Sequence, residues 1–471
     1  MSTEAPTRRS SARKRQGRAF AGAFAVVVAV LAVIGVAAAA TSVALGPRVT
    51  DVSVDPEAAV AASGSRVIFT TTQSLAEVDP AQVTITPETP FAVDTSGRTV
   101  GVRFGLALRE DTEYTVRIDD VTGVGGGPAT TISETFRTAG AEIFLLQRGG
   151  DGADDTIFAS GIDGESAVAV FTHEHIEDFR ATASHLVVSV LGSDDTAALI
   201  VTAPDGSGAR ELPLPGDGYV TNLQAADRGE RIGYTYSDRT LTADSGLESI
   251  LFTASLSDAA ADAEPTRIEP DGVDSRVAEW RFVPDTDSVL MLTFDSTLLL
   301  ADAEGANPTT LGTAVSIDGI AGTEAIVERI EGSIVIDLAD ASEQPLVEAE
   351  PTFGIQGDVT PVPGGGTLRT MSIVGDDGLP ERSAVAFVED DGTARLVAEA
   401  EAGDAVLGTC VSPSGRYLAT LVAPDAVDNP YDRYLLPLPA RVETRVTEID
   451  DGAEVVALAG SDISWCRVPP R

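Results

Sequence analysis

The chain has 471 residues, with 73 acidic side chains against 32 basic ones, a formal net charge of −41 and 43% hydrophobic residues. That balance supports a folded core rather than wholesale disorder, and it lacks the cation excess that phosphate contacts require, so no nucleic-acid partner is expected. Two cysteines and three histidines leave little material for a zinc finger or an iron–sulfur cluster, and no cofactor is expected.

Residues 1–18 carry Arg8, Arg9, Arg13, Lys14, Arg15 and Arg18 against Glu4 alone, and no charge then appears before Arg48. The run 19–45 is built from Ala, Val, Leu, Ile, Phe and Gly, with Thr41 and Ser42 near its end. It exceeds the roughly 20 apolar residues needed to cross a bilayer. With the basic tail held inside, the pattern predicts a single-pass transmembrane helix in the cell membrane. The N-terminus is then cytoplasmic and the bulk of the chain extracytoplasmic. The alternative is a cleaved signal peptide, with Ala38–Ala40 or Ser42–Ala44 as small-residue cleavage sites. Lys14 is the only lysine, and the composition is similar to that of high-GC actinobacterial proteins, which adds to the expectation of an envelope protein.

Residues 46–140 alternate with period two. Candidate strands are Val49–Val54, Arg66–Thr70, Gln82–Thr86, Thr99–Phe104, Tyr114–Ile118 and Glu134–Thr138, separated by Pro, Gly and Asp turns. Short strands without helical periodicity predict a β-sandwich of six or seven strands. The stretch Val67–Pro87, with Asp111–Val116 and Thr135–Thr138, resembles the bacterial Ig-like domain of S-layer-type proteins (the SbsA Ig-like family). The resemblance covers about a fifth of the chain and implies a spacer or adhesion module without catalysis.

Residues 141–471 repeat. First strands are expected to start near 176, 220, 277, 314, 353, 406 and 461, each leading through a turn to a more apolar strand and then to two further strands. Four strands at a period of roughly 40–55 residues is the pattern of a β-propeller, here of about seven blades. The last segment, from Ile463, reads as a first strand with nothing after it. The segment Glu142–Gln147 reads as a second strand with no first, so pairing the two completes one blade and closes the ring. Cys410 and Cys466 each lie three residues before a proline, Pro413 and Pro469, so they occupy equivalent positions in neighbouring blades. In an oxidising compartment this predicts a Cys410–Cys466 disulfide; two separate buried thiols are the alternative. The units Val277–Leu292 and Thr409–Val422 resemble the TolB-type or WD-like propeller repeat, best in Ser412-Pro413-Ser414-Gly415. That resemblance implies the fold and a tendency toward binding, and it carries no catalytic residues. The expected fold class is therefore an all-β ectodomain behind one N-terminal helix.

The densest candidate ligand cluster is His173-Glu174-His175 with Glu177 and Asp178. On a strand His173 and His175 would share one face and suit Zn²⁺; a polar connector between blades is the plainer reading. Asp151–Asp155 and Asp205–Gly208 are candidates for Ca²⁺ but read equally as hairpin turns. No nucleophile elbow, P-loop or H-E-x-x-H motif is present, and Ser184-His185 has no third partner in sequence, so no enzyme is expected. The expected function is binding or scaffolding at the cell envelope, with a protein or envelope-polymer partner. An envelope glycan hydrolase or lyase and an extracellular ligand sensor are the alternatives. An enzyme should gather acids and arginines at one channel mouth, whereas a scaffold should expose an apolar or aromatic patch. The 5% aromatic content weighs against a sugar-stacking site.

Overall fold

A computed structural model describes residues 20–35, 44–150, 152–193, 195–226, 231–242, 245–270, 272–306, 308–375 and 380–466. Residues 20–35 form an exposed helix, and 44–45 are again helical. No helix among the described residues is long and apolar enough to cross a membrane. The expected transmembrane segment, 19–45, lies partly outside the described residues, and the basic tail 1–18 lies wholly outside them.

The chain divides into two compact units. The first holds seven strands in two antiparallel sheets. Val49–Ser53, Arg66–Thr71, Thr99–Phe104 and Phe91–Ser96 form one, in that order, and Val83–Thr86, Glu113–Val121 and Thr130–Arg137 form the other. Alternation does the work of folding here. Val67 and Phe69, Val100, Val102 and Phe104, Val83 and Ile85, and Tyr114, Val116 and Ile118 are all buried at period two. Phe104 of one sheet meets Phe136 of the other, ring centroids 6.3 Å apart, so the sheets pack as a sandwich. The strand Phe91–Ser96 was not among those expected, since its inward residues Phe91, Val93 and Thr95 are only half-buried; it pairs with Thr99–Phe104 through a tight turn at Gly97.

The second unit contains seven further sheets. Six are four-stranded meanders spanning 176–212, 218–267, 277–313, 316–345, 355–399 and 405–459, taken as blades 2 to 7. Their first strands begin within two residues of the expected starts. The first strand of every one of these blades carries a break in register against its second strand. The breaks fall at Ile176/Asp178, Thr221/Gln224, Val277/Glu279, Ile317/Gly319, Gln356/Val359 and Val406/Gly408. A bulge at the same place in each blade bends the inner strand and re-aims its side chains. Consecutive first strands contact one another around the ring, and the sheets bury apolar side chains between them, with Trp280, Tyr234 and Tyr236 fully buried.

Blade 1 supplies three strands, Glu142–Gln147, Asp155–Gly161 and Val168–His173. Its inner edge is taken by the C-terminal segment. Leu146 and Ser461 exchange both backbone hydrogen bonds at 2.9 and 2.8 Å, Ser464 N–H donates to the Phe144 carbonyl at 2.9 Å, and Phe144 N–H donates to Ser464 Oγ at 3.1 Å. The ring therefore closes by strand exchange between the two ends of the unit, as the orphan segments predicted. Cys410 and Cys466 form a disulfide with Cα atoms 5.2 Å apart. Residues 467–471 lie outside the described residues.

In each antiparallel meander successive turns alternate between the two faces of the disc. The turns between second and third strands, and the connections between blades, lie on what we call the upper face. The other turns lie on the lower face. Segments 57–63 and 106–112 cluster with this unit. They meet lower-face turns, with Ser63 Oγ donating to Asp285 at 3.2 Å and Ser414 Oγ donating to Glu110 at 3.0 Å.

Candidate functional site

The richest set of buried polar side chains lies where blades 7, 1 and 2 meet, beneath the upper-face connection 424–442 of blade 7. Its neck is tied by buried Asn429, whose amide donates to the carbonyls of Pro424 and Arg441 at 3.0 and 2.6 Å and accepts from Arg441 N–H at 3.0 Å. Its tip is held by Asp432, which accepts from the Tyr434 and Leu438 amides at 3.3 and 3.1 Å. A loop whose ends meet and whose backbone is satisfied from within behaves as a compact Ω-loop rather than a floppy insertion.

Blades 1 and 2 clamp that loop. Arg148 donates to Asp432 at 2.7 Å, to the Leu436 carbonyl at 2.9 Å and to the Glu177 carbonyl at 3.0 Å, and its guanidinium lies 4.0 Å from the Tyr434 ring centroid. Tyr434 O–H donates to fully buried Asp155 at 2.8 and 2.9 Å, while Asp155 also accepts from the amides of Gly149 and Ile176 at 2.7 and 2.6 Å. Burial, reinforced by the Asp155 carboxylate, pushes the Tyr434 hydroxyl well above its usual range, so it remains a proton donor. Glu177 accepts from the Leu435 and Leu436 amides at 3.0 and 3.1 Å and from His175 Nε2 at 2.6 Å, and the His175 ring stacks on Tyr434 at 4.0 Å.

One step deeper, Arg180 sits between two acids. It donates to Asp178 at 2.8 and 3.2 Å and to Asp462 at 2.9 and 3.0 Å, and all three side chains are buried. Burial drives the Asp178 carboxyl well above the usual range; Arg180 opposes that shift and the Asp462 charge adds to it. For Arg180 burial acts the other way, but the two carboxylates outweigh it and keep the guanidinium charged. Asp462 belongs to the closing segment, so the triad fastens the C-terminus into the ring. A small cavity of about 10 Å³, room for roughly one water, is bounded by Arg148, Glu177, Asp178, Leu436, Ser461 and Asp462.

Acids and arginines therefore do gather near one end of the channel, as an enzyme would require, but they are spent on one another and on backbone amides. The carboxylates that would act as acid or base instead position a loop and a strand. Polar links continue around the inner ring: Gln224 donates to the Trp280 carbonyl at 2.6 Å, Glu279 accepts from Ile317 N–H at 2.8 Å, and Thr360 and Thr409 share a hydrogen bond of 3.1 Å.

The residues singled out from the sequence are dispersed. His173 ends a blade 1 strand and its Nδ1 accepts from His175 N–H at 3.1 Å, so the two rings do not share a strand face; His175 turns instead to Glu177. Among the described residues no group of three or more His, Cys, Asp or Glu is arranged to hold a metal. Asp151 lies outside the described residues. Asp205 caps its own turn, accepting from Ser207 N–H and Oγ at 2.9 and 2.6 Å, which holds its carboxyl below the usual range. Ser184 Oγ and His185 Nδ1 lie 3.0 Å apart on the lower-face turn of blade 2. Arg148, Arg180, Tyr434 and Asp462 were not anticipated. The available signal was the density of Glu177, Asp178 and Arg180 in a first strand, read together with the unusually long interval between the second and third strands of blade 7.

No family model matches the chain, and no curated protein matches it. Among solved structures it is similar to a putative TolB from Agrobacterium tumefaciens, at 13% identity and a TM-score of 0.37, over 68% of this chain and 89% of that one. It is also similar to the β-propeller domain of Cps50 (Swd1) from Myceliophteria thermophila, at 12% identity and a TM-score of 0.39, over 61% and 87% of the two chains. A Pyrococcus horikoshii acylaminoacyl peptidase is similar at 11% identity and a TM-score of 0.44, over 66% of this chain and 49% of that one. Likenesses this distant bear on neither partner nor chemistry. The propeller stands on strand order, repeated bulges and ring closure.

Proposed function

We propose that the chain is a membrane-tethered, extracytoplasmic binding scaffold of the cell envelope. In this reading the propeller is the recognition head, the sandwich is an Ig-like spacer of the S-layer type, and the partner is a protein. The observation that carries it is the use of Arg148, Asp155, Glu177 and Tyr434 to rigidify an exposed loop. A loop ordered in advance on a rigid ring loses little entropy on binding, which suits recognition. The Cys410–Cys466 disulfide fits an oxidising compartment, and the basic tail followed by the apolar run 19–45 fits an anchor with its positive end inside.

The test is made on the full chain in its native membrane. Protease added outside intact cells should degrade the propeller and spare the N-terminal tail, and the purified full chain should leave cell-wall fragments unchanged. Turnover of those fragments, or a propeller protected until the cells are opened, would contradict the reading.

A further inference from the structure

Exposed apolar side chains are unevenly placed on the propeller. Among the described residues, no exposed large hydrophobic residue lies within a lower-face turn, and Val168 and Val455 stand just after two of those turns, at the starts of outermost strands. The upper face is different: beside Leu241 in the turn of blade 3, exposed apolar residues run from blade 4 to blade 7. Phe294 projects from the turn of blade 4, Val315 from the connection to blade 5, Ile330 from the turn of blade 5 and Ile355 from the start of blade 6. Val427 and Tyr431 project from the clamped loop of blade 7. Ile330 is 90% exposed, Val427 95% and Tyr431 63%. Single exposed apolar residues are ordinary, but a run of them along consecutive blades on one face marks an interaction surface.

The charge around this arc states what it would accept. Asp295, Glu331, Glu401 and Asp425 are exposed on the same face. Arg433 and Arg441 stand against them, and Arg441 is already paired with Asp425 at 3.7 Å. An acidic surface repels an anionic bilayer and a second copy of a chain with net charge −41. It attracts a cationic polypeptide and speeds its encounter, while the apolar side chains supply the anchoring contacts.

We propose that the upper face of blades 4 to 7 docks a basic protein segment that carries apolar side chains between its cations. The proposal rests on the scaffold reading and sharpens it by naming the face and the partner's chemistry. The polar clamp of Tyr434 and Arg148 then has a purpose at a distance from itself, since it fixes where Val427 and Tyr431 stand.

The experiment places a photo-crosslinking benzophenone amino acid at Ile330, Val427, Val168 or Val455 of the full chain in the cells that make it. Adducts are identified by mass spectrometry down to the attached peptide. The expected result is a shared adduct from Ile330 and Val427 whose attached segment is rich in Arg or Lys and in apolar residues. Ile355→Ser combined with Tyr431→Ser should then reduce the Val427 adduct about tenfold, as loss of an interface anchor does, while leaving thermal unfolding unchanged. An acidic segment, a lipid, a glycan or a second copy of the chain at these positions overturns the proposal. Protein adducts from Val168 or Val455 but not from the upper face overturn it while leaving the scaffold reading intact. No protein adduct from any of the four positions defeats both.

Discussion

The junction of blades 7, 1 and 2 is built differently from the opposite side of the same ring. Between blades 2 and 5 the sheets are held by apolar side chains: Trp280 packs against Phe282 with centroids 5.0 Å apart and fills the space left by Gly233, and Tyr234 lies on Phe252. At the closing junction the apolar cluster around Ile143, Tyr417 and Ile463 is supplemented by a disulfide, a buried charge triad and a clamped loop. Blades 2 to 5 follow one another in the chain, and burial with single hydrogen bonds, such as those of Gln224 to the Trp280 carbonyl and Ile317 N–H to Glu279, holds them together. The closing junction joins residues more than 300 positions apart, Phe144 to Ser464. Burial is non-directional, so it does not by itself specify which strand enters that gap. Hydrogen-bonded charges and a covalent link do.

The comparison can be broken from either side. The largest effect should come from Arg180→Ala, which leaves Asp178 and Asp462 buried together without their cation. Such a loss costs about 3–5 kcal/mol and should appear as a large fall in the denaturant midpoint of the propeller. Cys410→Ser with Cys466→Ser, or reduction, removes a link spanning 56 residues. The chain-entropy relation gives up to about 4 kcal/mol, to be read by thermal unfolding with and without reductant. On the apolar side, Gly233→Ala places a methyl group 2.5 Å from the Trp280 ring. Overpacking there should cost about 1–3 kcal/mol and leave the reduction sensitivity of the closing junction unchanged. The smallest effect concerns pH. The carboxyl of Asp178 titrates higher in the folded chain than in the unfolded one, so the folded state holds the extra proton. Its contribution to stability is complete below the unfolded value of about 3.9 and is lost as pH rises through the folded value. Asp178→Asn lacks that loss, so its stability relative to the parent should climb as pH rises above about 4, measured by unfolding across a pH series. A difference that does not vary with pH would remove titration of Asp178 from the account.

Much of the ring is legible in the sequence. Period and turn chemistry announce the first strands, because each blade repeats one supersecondary unit, and the equivalent placement of Cys410 and Cys466 announced their pairing. The polar clamp was not legible, and the reason is local geometry. The bulge after Ile176 sets aside strict alternation, so neither Glu177 nor Asp178 can be assigned a face by counting. Asp155 reads in sequence as the end of an acidic turn, yet it is buried because Tyr434, 279 residues away, donates to it. Contacts of that separation leave no trace in a short window. The strand Phe91–Ser96 was missed for a different reason: its inward positions are only half-buried at the sheet edge, so its alternation carries a weak apolar signal.

Amide hydrogen exchange on the full chain, compared with a chain ending at Gly460, tests the closure most directly. If the C-terminal segment is the inner strand of blade 1, the Phe144 and Leu146 amides are strongly protected in the full chain and lose that protection together on truncation, while the amides of blade 4 keep theirs. Protection at Phe144 and Leu146 that is unchanged by the truncation would contradict a ring closed by its own C-terminus.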